Sequence, residues 1–242
     1  DPRLLTGQGL YVDDVDLPNM LHVAFVRSPY AHARINSIDV SQALQREGVV
    51  AVYTANDLGD YWKPGPLLVS PPPVDGIVFN EKTQVPLAKD KVKFAGEPIV
   101  MVLAESRYIA EDALADIQID YEPLEAVVDL EKGLQAESPV IHEEIGSNIS
   151  AHVVQTKGDY ESVKKDAALV VKRRFSYEHG CAAAIENRGI VAQWDKRAGR
   201  LTVWDTTQAP VVIRNGLAGM LGLSERQVRV IAPFIGGGFG PK

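Results

Sequence analysis

Pro98-Ile99-Val100-Met101-Val102-Leu103-Ala104-Glu105-Ser106 is the stretch from which the fold is read. Its run Ile99 to Leu103 is apolar without a break, as expected of a strand buried on both faces. Ser106 stands where a helix N-cap belongs. Ala110, Ala113, Leu114 and Ile117 follow at i, i+3, i+4 and i+7, one apolar stripe of a helix. Gln118 to Tyr121 is the next strand, ended by Glu122-Pro123. Lys91 onward forms a strand before this unit, separated from Ile99 by Gly96-Glu97-Pro98.

Further upstream, Leu21 to Val26 is expected to be a strand with Leu21, Val23 and Phe25 on a strongly apolar face. Val49 to Thr54 is a second, β-branched strand, preceded by a short helix over Ser41 to Arg46. Lys63 to Asn80 carries Pro64, Pro66, Pro71, Pro72 and Pro73, which fix φ and remove donors, so it reads as a long loop. Residues 1–125 therefore form one α+β unit. Leu124 to Ser150 is poor in periodicity and carries Gly133, Pro139 and Gly146, so residues 126–152 read as a linker.

Residues 153–242 form a second unit. It is expected to hold a short helix around Tyr160 to Lys165, then strands over Ala168 to Tyr177, Gly189 to Trp194 and Arg200 to Asp205. Pro210 sits where a helix tolerates it best, in the first turn. Ile213, Leu217, Met220 and Leu221 make the stripe of that helix, and Ser224 with Gln227 resembles a capping box. Val228 to Ile231 is a last strand, which runs into Gly236-Gly237-Gly238-Phe239-Gly240-Pro241-Lys242.

The chain has 242 residues, 45% of them apolar, which suits one large or two small domains with a real core. Lys plus Arg is 25 and Asp plus Glu is 32, giving a formal charge of -7, the balance of a mildly acidic soluble protein. No basic stripe with interleaved aromatics is present, which argues against a nucleic-acid partner. Lys172, Arg173 and Arg174 read as a solvated strand face. A single cysteine, Cys181, excludes an internal disulfide and suits a reducing, cytoplasmic compartment. No stretch approaches the ~18 apolar residues of a membrane span. Asp1-Pro2-Arg3-Leu4 reads as an internal start, and the glycine-rich end as a loop whose second flank would lie beyond Lys242.

The glycine loop bears the chemistry. Without Cβ atoms a backbone can approach a ligand closely, and its N–H groups can converge on an anion. The loop is not a Walker A motif, because Pro241 separates Gly240 from Lys242, and it lacks the third glycine of the dinucleotide fingerprint. Thr206-Thr207-Gln208-Ala209-Pro210 marks a strand-to-helix junction, where Gln208 projects an amide at a helix start. His179 and Cys181, one residue apart without a surrounding ligand cluster, read as structural. Glu186 is a tempting base, but its expected role is an ion pair with Arg188 or a packing contact.

These motifs, in order, resemble the molybdopterin-binding large subunit of the molybdenum hydroxylases, the family of xanthine dehydrogenase, aldehyde oxidase and aerobic carbon monoxide dehydrogenase. Thr6-Gly7-Gln8-Gly9-Leu10-Tyr11-Val12-Asp13-Asp14 is similar to the family's opening, and Arg27-Ser28-Pro29-Tyr30-Ala31-His32-Ala33 to its first hairpin. Phe94-Ala95-Gly96-Glu97-Pro98, Ala110-Glu111-Asp112-Ala113 and Asp120-Tyr121-Glu122-Pro123-Leu124 resemble its hammerhead domain. Ile185-Glu186-Asn187-Arg188-Gly189 is similar to a further signature, and the Gln208 and glycine-loop segments to its paired cofactor motifs.

The resemblance implies an α+β chain: a hammerhead-type α/β domain followed by the first part of a mixed α+β molybdopterin-binding domain. It implies a molybdenum–molybdopterin cofactor, in the cytosine dinucleotide form, with no direct protein ligand to the metal. Gln208 would face the metal's oxygen or sulfur ligands, the backbone around Phe239 and Gly240 would donate to an oxo ligand, and Gly236, Gly237 and Gly238 would let the loop pass close by. The implied reaction is oxidative hydroxylation of an aldehyde, N-heterocycle or similar small molecule, with electrons passed to 2Fe-2S and FAD on partner subunits. The family's general-base glutamate is expected beyond Lys242, so no catalytic residue is assigned here. The C-terminal half of the same subunit is an expected partner, and the chain alone is expected to be inactive. A second reading is a non-catalytic docking fragment of such a complex; the joint presence of Gln208 and an intact glycine loop favours the enzyme.

Overall fold

The computed structural model describes residues 2–65, 77–80, 83–178 and 180–242. In chain order the helices are α1 (Pro2–Leu5), α2 (Ser41–Gln45), α3 (Arg107–Asp112), α4 (Tyr160–Lys165) and α5 (Pro210–Leu221). The strands of the first part are β1 (His22–Arg27), β2 (Ala33–Asp39), β3 (Val49–Tyr53), β4 (Val78–Phe79), β5 (Lys91–Val92), β6 (Pro98–Ala104) and β7 (Gln118–Pro123). Those of the second part are β8 (Ala151–His152), β9 (Ile190–Asp195), β10 (Arg200–Asp205) and β11 (Val228–Ile231). Short 3-10 turns join several of them, so the class is α+β as read from the sequence.

The apolar run Ile99–Leu103 becomes β6, the centre of an antiparallel sheet ordered β1-β6-β3. Ile99, Val100, Val102 and Ala104 are fully buried, while Met101 and Leu103 are half-buried, so the strand is closed on both faces only at its start. A second antiparallel sheet, ordered β5-β2-β7, packs beside it. Ala33, Ala88, Val92, Ile99 and Val100 form the main cluster, with Ile35, Ile119 and Tyr121 against it. The helix stripe docks through small residues. Ala110 lies against Ala24 and Ala104, and Ala113 against Ala43 and Val102. Close contact is possible because no long side chain separates helix from strand. Ser106 caps α3 as expected, its hydroxyl accepting from the Ile109 N–H at 3.2 Å.

The face of β1 that enters the core is not the expected one. Ala24 is buried and Val26 packs on the core, whereas Val23 is 49% exposed. The helix covers the side that carries the small alanine, so steric fit outweighs the apolar bulk of Leu21, Val23 and Phe25.

The segment read as a linker is folded against the first sheets. Asn148 staples it, donating to Gly133 O at 3.2 Å and Pro139 O at 2.9 Å, and accepting from the Ile141 N–H at 3.0 Å. Lys91–Glu143 and Lys93–Glu144 ion pairs, both 2.6 Å, hold it to β5 and the turn that follows. Of the loop expected over Lys63 to Asn80, residues 66–76 lie outside the described residues. Its far end holds β4, which pairs with β8.

In the second part, β10 pairs antiparallel with β9 and parallel with β11, and α5 makes the crossover between the parallel pair. Pro210 opens α5, and Gly222, left-handed at φ 67°, ends it. Ala218 is the buried centre of the helix; Ile213, Leu217 and Met220 flank it, and Leu221 lies at the exposed margin. Ser224 and Gln227 form the expected capping box. The strand expected over Ala168 to Tyr177 is not formed. Leu169 is 78% exposed and Phe175 89%, and no neighbouring strand supplies hydrogen bonds among the described residues. A β-branched run gains strand structure only from a pairing partner. Lys172, Arg173 and Arg174 are thus on an extended exposed segment rather than a strand face, with Arg174 paired to Glu131.

Ile99→Ala should cost this 242-residue chain about 2–5 kcal/mol in chemical denaturation, while Phe175→Ala in the same chain should change stability by no more than about 0.5 kcal/mol. An equal loss at both positions would mean that Phe175 is buried. A second prediction concerns the docked segment. Partial burial pushes the Glu144 carboxyl up, but hydrogen bonds from Lys93, a backbone N–H and His142, with the Lys93 charge, outweigh this and bring it to about 2. A carboxylate held below its ordinary value stabilises the fold above pH 4.5 and loses that contribution as the pH falls through about 2. The side chain is 53% exposed, so the effect should not exceed about 1 kcal/mol. Protection of the amides of residues 139–150, taken relative to their intrinsic exchange rate at each pH, should fall between pH 5 and pH 2, and Lys93→Met should lower it already at pH 5.

Candidate functional site

The site forms where β10 and β11 end side by side. Beyond β10, Thr206 and Thr207 are buried, and each spends its hydroxyl on the backbone. Thr206 Oγ1 accepts from the Gly189 N–H at 3.0 Å, and the Thr206 N–H donates to Gly189 O at 3.1 Å. This pair ties residues 186–189 to the strand end. Thr207 Oγ1 accepts from the Ala209 N–H at 3.0 Å, a local turn that sets the chain into α5. Gln208 is left between them, exposed. Burial pushes the Asp205 carboxyl up, opposed by the Thr206 N–H.

Beyond β11, Phe234 anchors the approach to the glycine loop. Its N–H donates to Leu10 O at 3.0 Å, the Tyr11 ring lies 6.3 Å away, and the Arg3 guanidinium sits 4.8 Å over its ring. Val12, buried, contacts Gly189. The opening segment Thr6–Asp14 therefore supports the site, although it precedes β1 in the chain.

The loop itself is shaped by two side chains. Gln208 Oε1 accepts the Gly240 N–H at 3.0 Å. A Cβ at Gly238 would lie 2.3 Å from Gln208 Cδ, and one at Gly236 would lie 2.5 Å from Glu186 Cβ. At Gly236 the obstruction includes the Glu186 backbone, so glycine is required there; at Gly238 an added Cβ would displace the Gln208 side chain. Gly237 (φ 104°) and Gly240 (φ 95°) take left-handed backbone, as does Phe239 (φ 52°). A non-glycine residue in that region is held there by its surroundings. The N–H groups of Gly237, Gly238 and Phe239 donate to no atom of the described residues. Space beside Gly240 is open, since a Cβ there would meet nothing within 4 Å. Successive unspent N–H groups on a glycine-rich loop are donors suited to an anionic, oxygen-rich group.

The structure brings Gln208, Gly236, Gly237, Gly238, Phe239 and Gly240 together. The Gly240 N–H donates to Gln208 Oε1, while Phe239 and the two preceding glycines hold the unspent donors. The Gln208 carbonyl oxygen faces the loop, which leaves its Nε2 amide group as the donor toward a ligand. Glu186 does not pair with Arg188. Its Oε2 accepts the Gly236 N–H at 2.7 Å and the Lys242 ammonium at 2.9 Å. Sequence separations of 50 and 56 residues hid this contact. Cys181 is exposed, while His179 lies outside the described residues. Among the described residues no group of three His, Cys, Asp or Glu side chains could hold a metal ion, and no helix is long and apolar enough to cross a membrane.

Known families match this chain along nearly its whole length. A family profile described as aldehyde oxidase and xanthine dehydrogenase, a/b hammerhead domain, matches residues 6–125, and one described as molybdopterin cofactor-binding domain matches residues 141–242. The chain is 40% identical to the carbon monoxide dehydrogenase large chain of Afipia carboxidovorans, covering all of this chain and 30% of that one. It is 38% identical to the nicotine 6-hydroxylase large subunit of Paenarthrobacter nicotinovorans, covering all of this chain and 29% of that one. The crystal structure of quinoline 2-oxidoreductase from Pseudomonas putida 86 superimposes with a TM-score of 0.88 at 36% identity, over all of this chain and 30% of that chain. The chain thus spans about 30% of the length of these relatives. A hammerhead match followed by a cofactor-domain match, with the glycine loop inside the latter, places the chain in the molybdenum hydroxylase family of xanthine dehydrogenase, aldehyde oxidase and carbon monoxide dehydrogenase large subunits.

Proposed function

We propose that this chain forms part of the molybdopterin-binding subunit of a molybdenum-dependent dehydrogenase or hydroxylase, and that residues 208 and 236–240 hold the pterin-bound metal. The observation that carries the reading is the Gln208 Oε1 to Gly240 N–H bond, which fixes a loop whose remaining N–H groups stay unspent. Residues 1–125 act as the hammerhead domain, 126–152 as a docked connector, and 153–242 as the first part of the cofactor domain.

When bound, the molybdenum–pterin group supplies the redox and oxygen-transfer chemistry. The chain's own residues bind and orient it. The N–H groups of Gly237, Gly238 and Phe239 donate to its oxygen-rich periphery, and the Gln208 Nε2 donates from the α5 side. These donors are fixed before the ligand arrives, so little reorganisation accompanies binding. Thr206 and Thr207 act behind them, holding the junction that aims Gln208.

The substrate class is an aldehyde, an N-heterocycle or a similar small molecule. Electrons leave to 2Fe-2S and FAD centres on partner subunits, the cofactor carries a cytosine dinucleotide, and the protein resides in the cytoplasm. No general-base glutamate is assigned among these 242 residues, which alone should not turn over substrate. Purification of the complete protein from its host, followed by metal analysis and subunit identification, tests the reading. Molybdenum, a cytosine nucleotide released on hydrolysis, and flavin and iron–sulfur companions are expected. Gln208→Ala should lower bound molybdenum about tenfold. A metal-free, companion-free protein would refute the reading.

A further inference from the structure

Glu186 ties together two points of the loop that are six residues apart. Its Oε2 accepts the Gly236 N–H at 2.7 Å and the Lys242 ammonium at 2.9 Å. Its own N–H donates to Gly236 O at 3.2 Å, so the two residues exchange a pair of hydrogen bonds. The ion pair is sequestered: the Lys242 side chain is 2% exposed and that of Glu186 14%. The second carboxylate oxygen, Oε1, is buried and has no hydrogen-bond partner among the described residues. Burying an ionised group is costly unless its partners compensate. Such a group is retained here at the base of the only glycine-rich segment in the sequence, and nothing in the proposed chemistry uses it.

We propose that Glu186 is a positioning residue, whose carboxylate fastens Gly236 and Lys242 together and thereby presets residues 236–242 for the cofactor. The inference rests on the reading of that loop as a cofactor site. Geometry explains the division of labour. Gln208 holds the loop at Gly240, near its open side, and Glu186 holds it at Gly236 and Lys242, at its base. Between these fixed points stand the three unspent N–H groups. Thr206, through Gly189, anchors the segment that carries Glu186, so the strand end, the carboxylate and the loop form one mechanical chain.

The pair is a buried charge couple, which makes its removal non-additive. Glu186→Gln leaves an uncompensated lysine, Lys242→Gln leaves an uncompensated carboxylate, and the double variant leaves neither. Amide hydrogen exchange of the complete protein, stripped of cofactor, reads this directly. Each single variant should speed exchange at Gly236 about tenfold or more. The double variant should speed it by clearly less than the product of the two. Gly189, held by Thr206, should exchange at its original rate in all three, which separates loop release from general unfolding. Pterin content of the same variants, purified without stripping, should fall several-fold in Glu186→Gln.

Unchanged exchange at Gly236, or strictly multiplicative effects in the double variant, would overturn the proposal. So would a freed loop with undiminished pterin content, because the carboxylate would then not preset the loop for its ligand. Failure of the underlying reading has a different signature: the unaltered protein would contain no pterin at all, whatever the exchange rates.

Discussion

Everything at the candidate site depends on side chains lying where Cβ atoms would otherwise be. Gln208 occupies the space under Gly238, and the Glu186 side chain that under Gly236. Each contact is closer than any side-chain-bearing residue permits. The loop is therefore a backbone ribbon laid over two polar side chains, with its hydrogen-bond donors divided between them and the open side. Two N–H groups, those of Gly236 and Gly240, serve the protein; the three between them do not. That division separates the structural function of the ribbon from its binding function.

The remainder of the chain supports this arrangement by stiffness. Strands β10 and β11 are adjacent and parallel, so their ends deliver Gln208 and the glycine loop to the same edge of the sheet. Ligands bind at such strand ends in many mixed sheets. The first part of the chain contributes at a distance: Leu10, Tyr11 and Val12 brace Phe234 and Gly189, while the alanine-lined contact of α3 with β1 and β6 keeps that part compact. The docked connector is held in part by charge, through Lys91 and Lys93, which makes it sensitive to acid.

Signals in the sequence are legible where the physics that sets them is local. Ser106 caps its helix, Pro210 starts one, and Ser224 with Gln227 forms its box, because each depends on neighbours within a few residues. The β6 run declared itself by its unbroken apolar composition, although only its start is buried on both faces. Misreadings arose where a partner distant in sequence decides the outcome. Leu169 to Tyr177 has the composition of a strand, but a strand needs a neighbour, and none is supplied among the described residues. The buried face of β1 was set by which side the helix could approach, not by which side was more apolar. At the site, the residues that gather around the loop were legible from their types and order. Their wiring was not: the Glu186–Lys242 pair spans 56 residues, and the adjacent Arg188 was the more obvious partner.

The most direct measurement is the pterin content of the complete protein carrying Gly238→Ala, read by fluorescence after oxidative release. The added methyl carbon would stand 2.3 Å from the Gln208 side chain, so the loop and Gln208 could not both keep their places. The account predicts loss of most of the pterin with the melting transition of the hammerhead part unchanged. Full pterin content in that variant would contradict it, since the ligand would then be held without the contact on which the site is built.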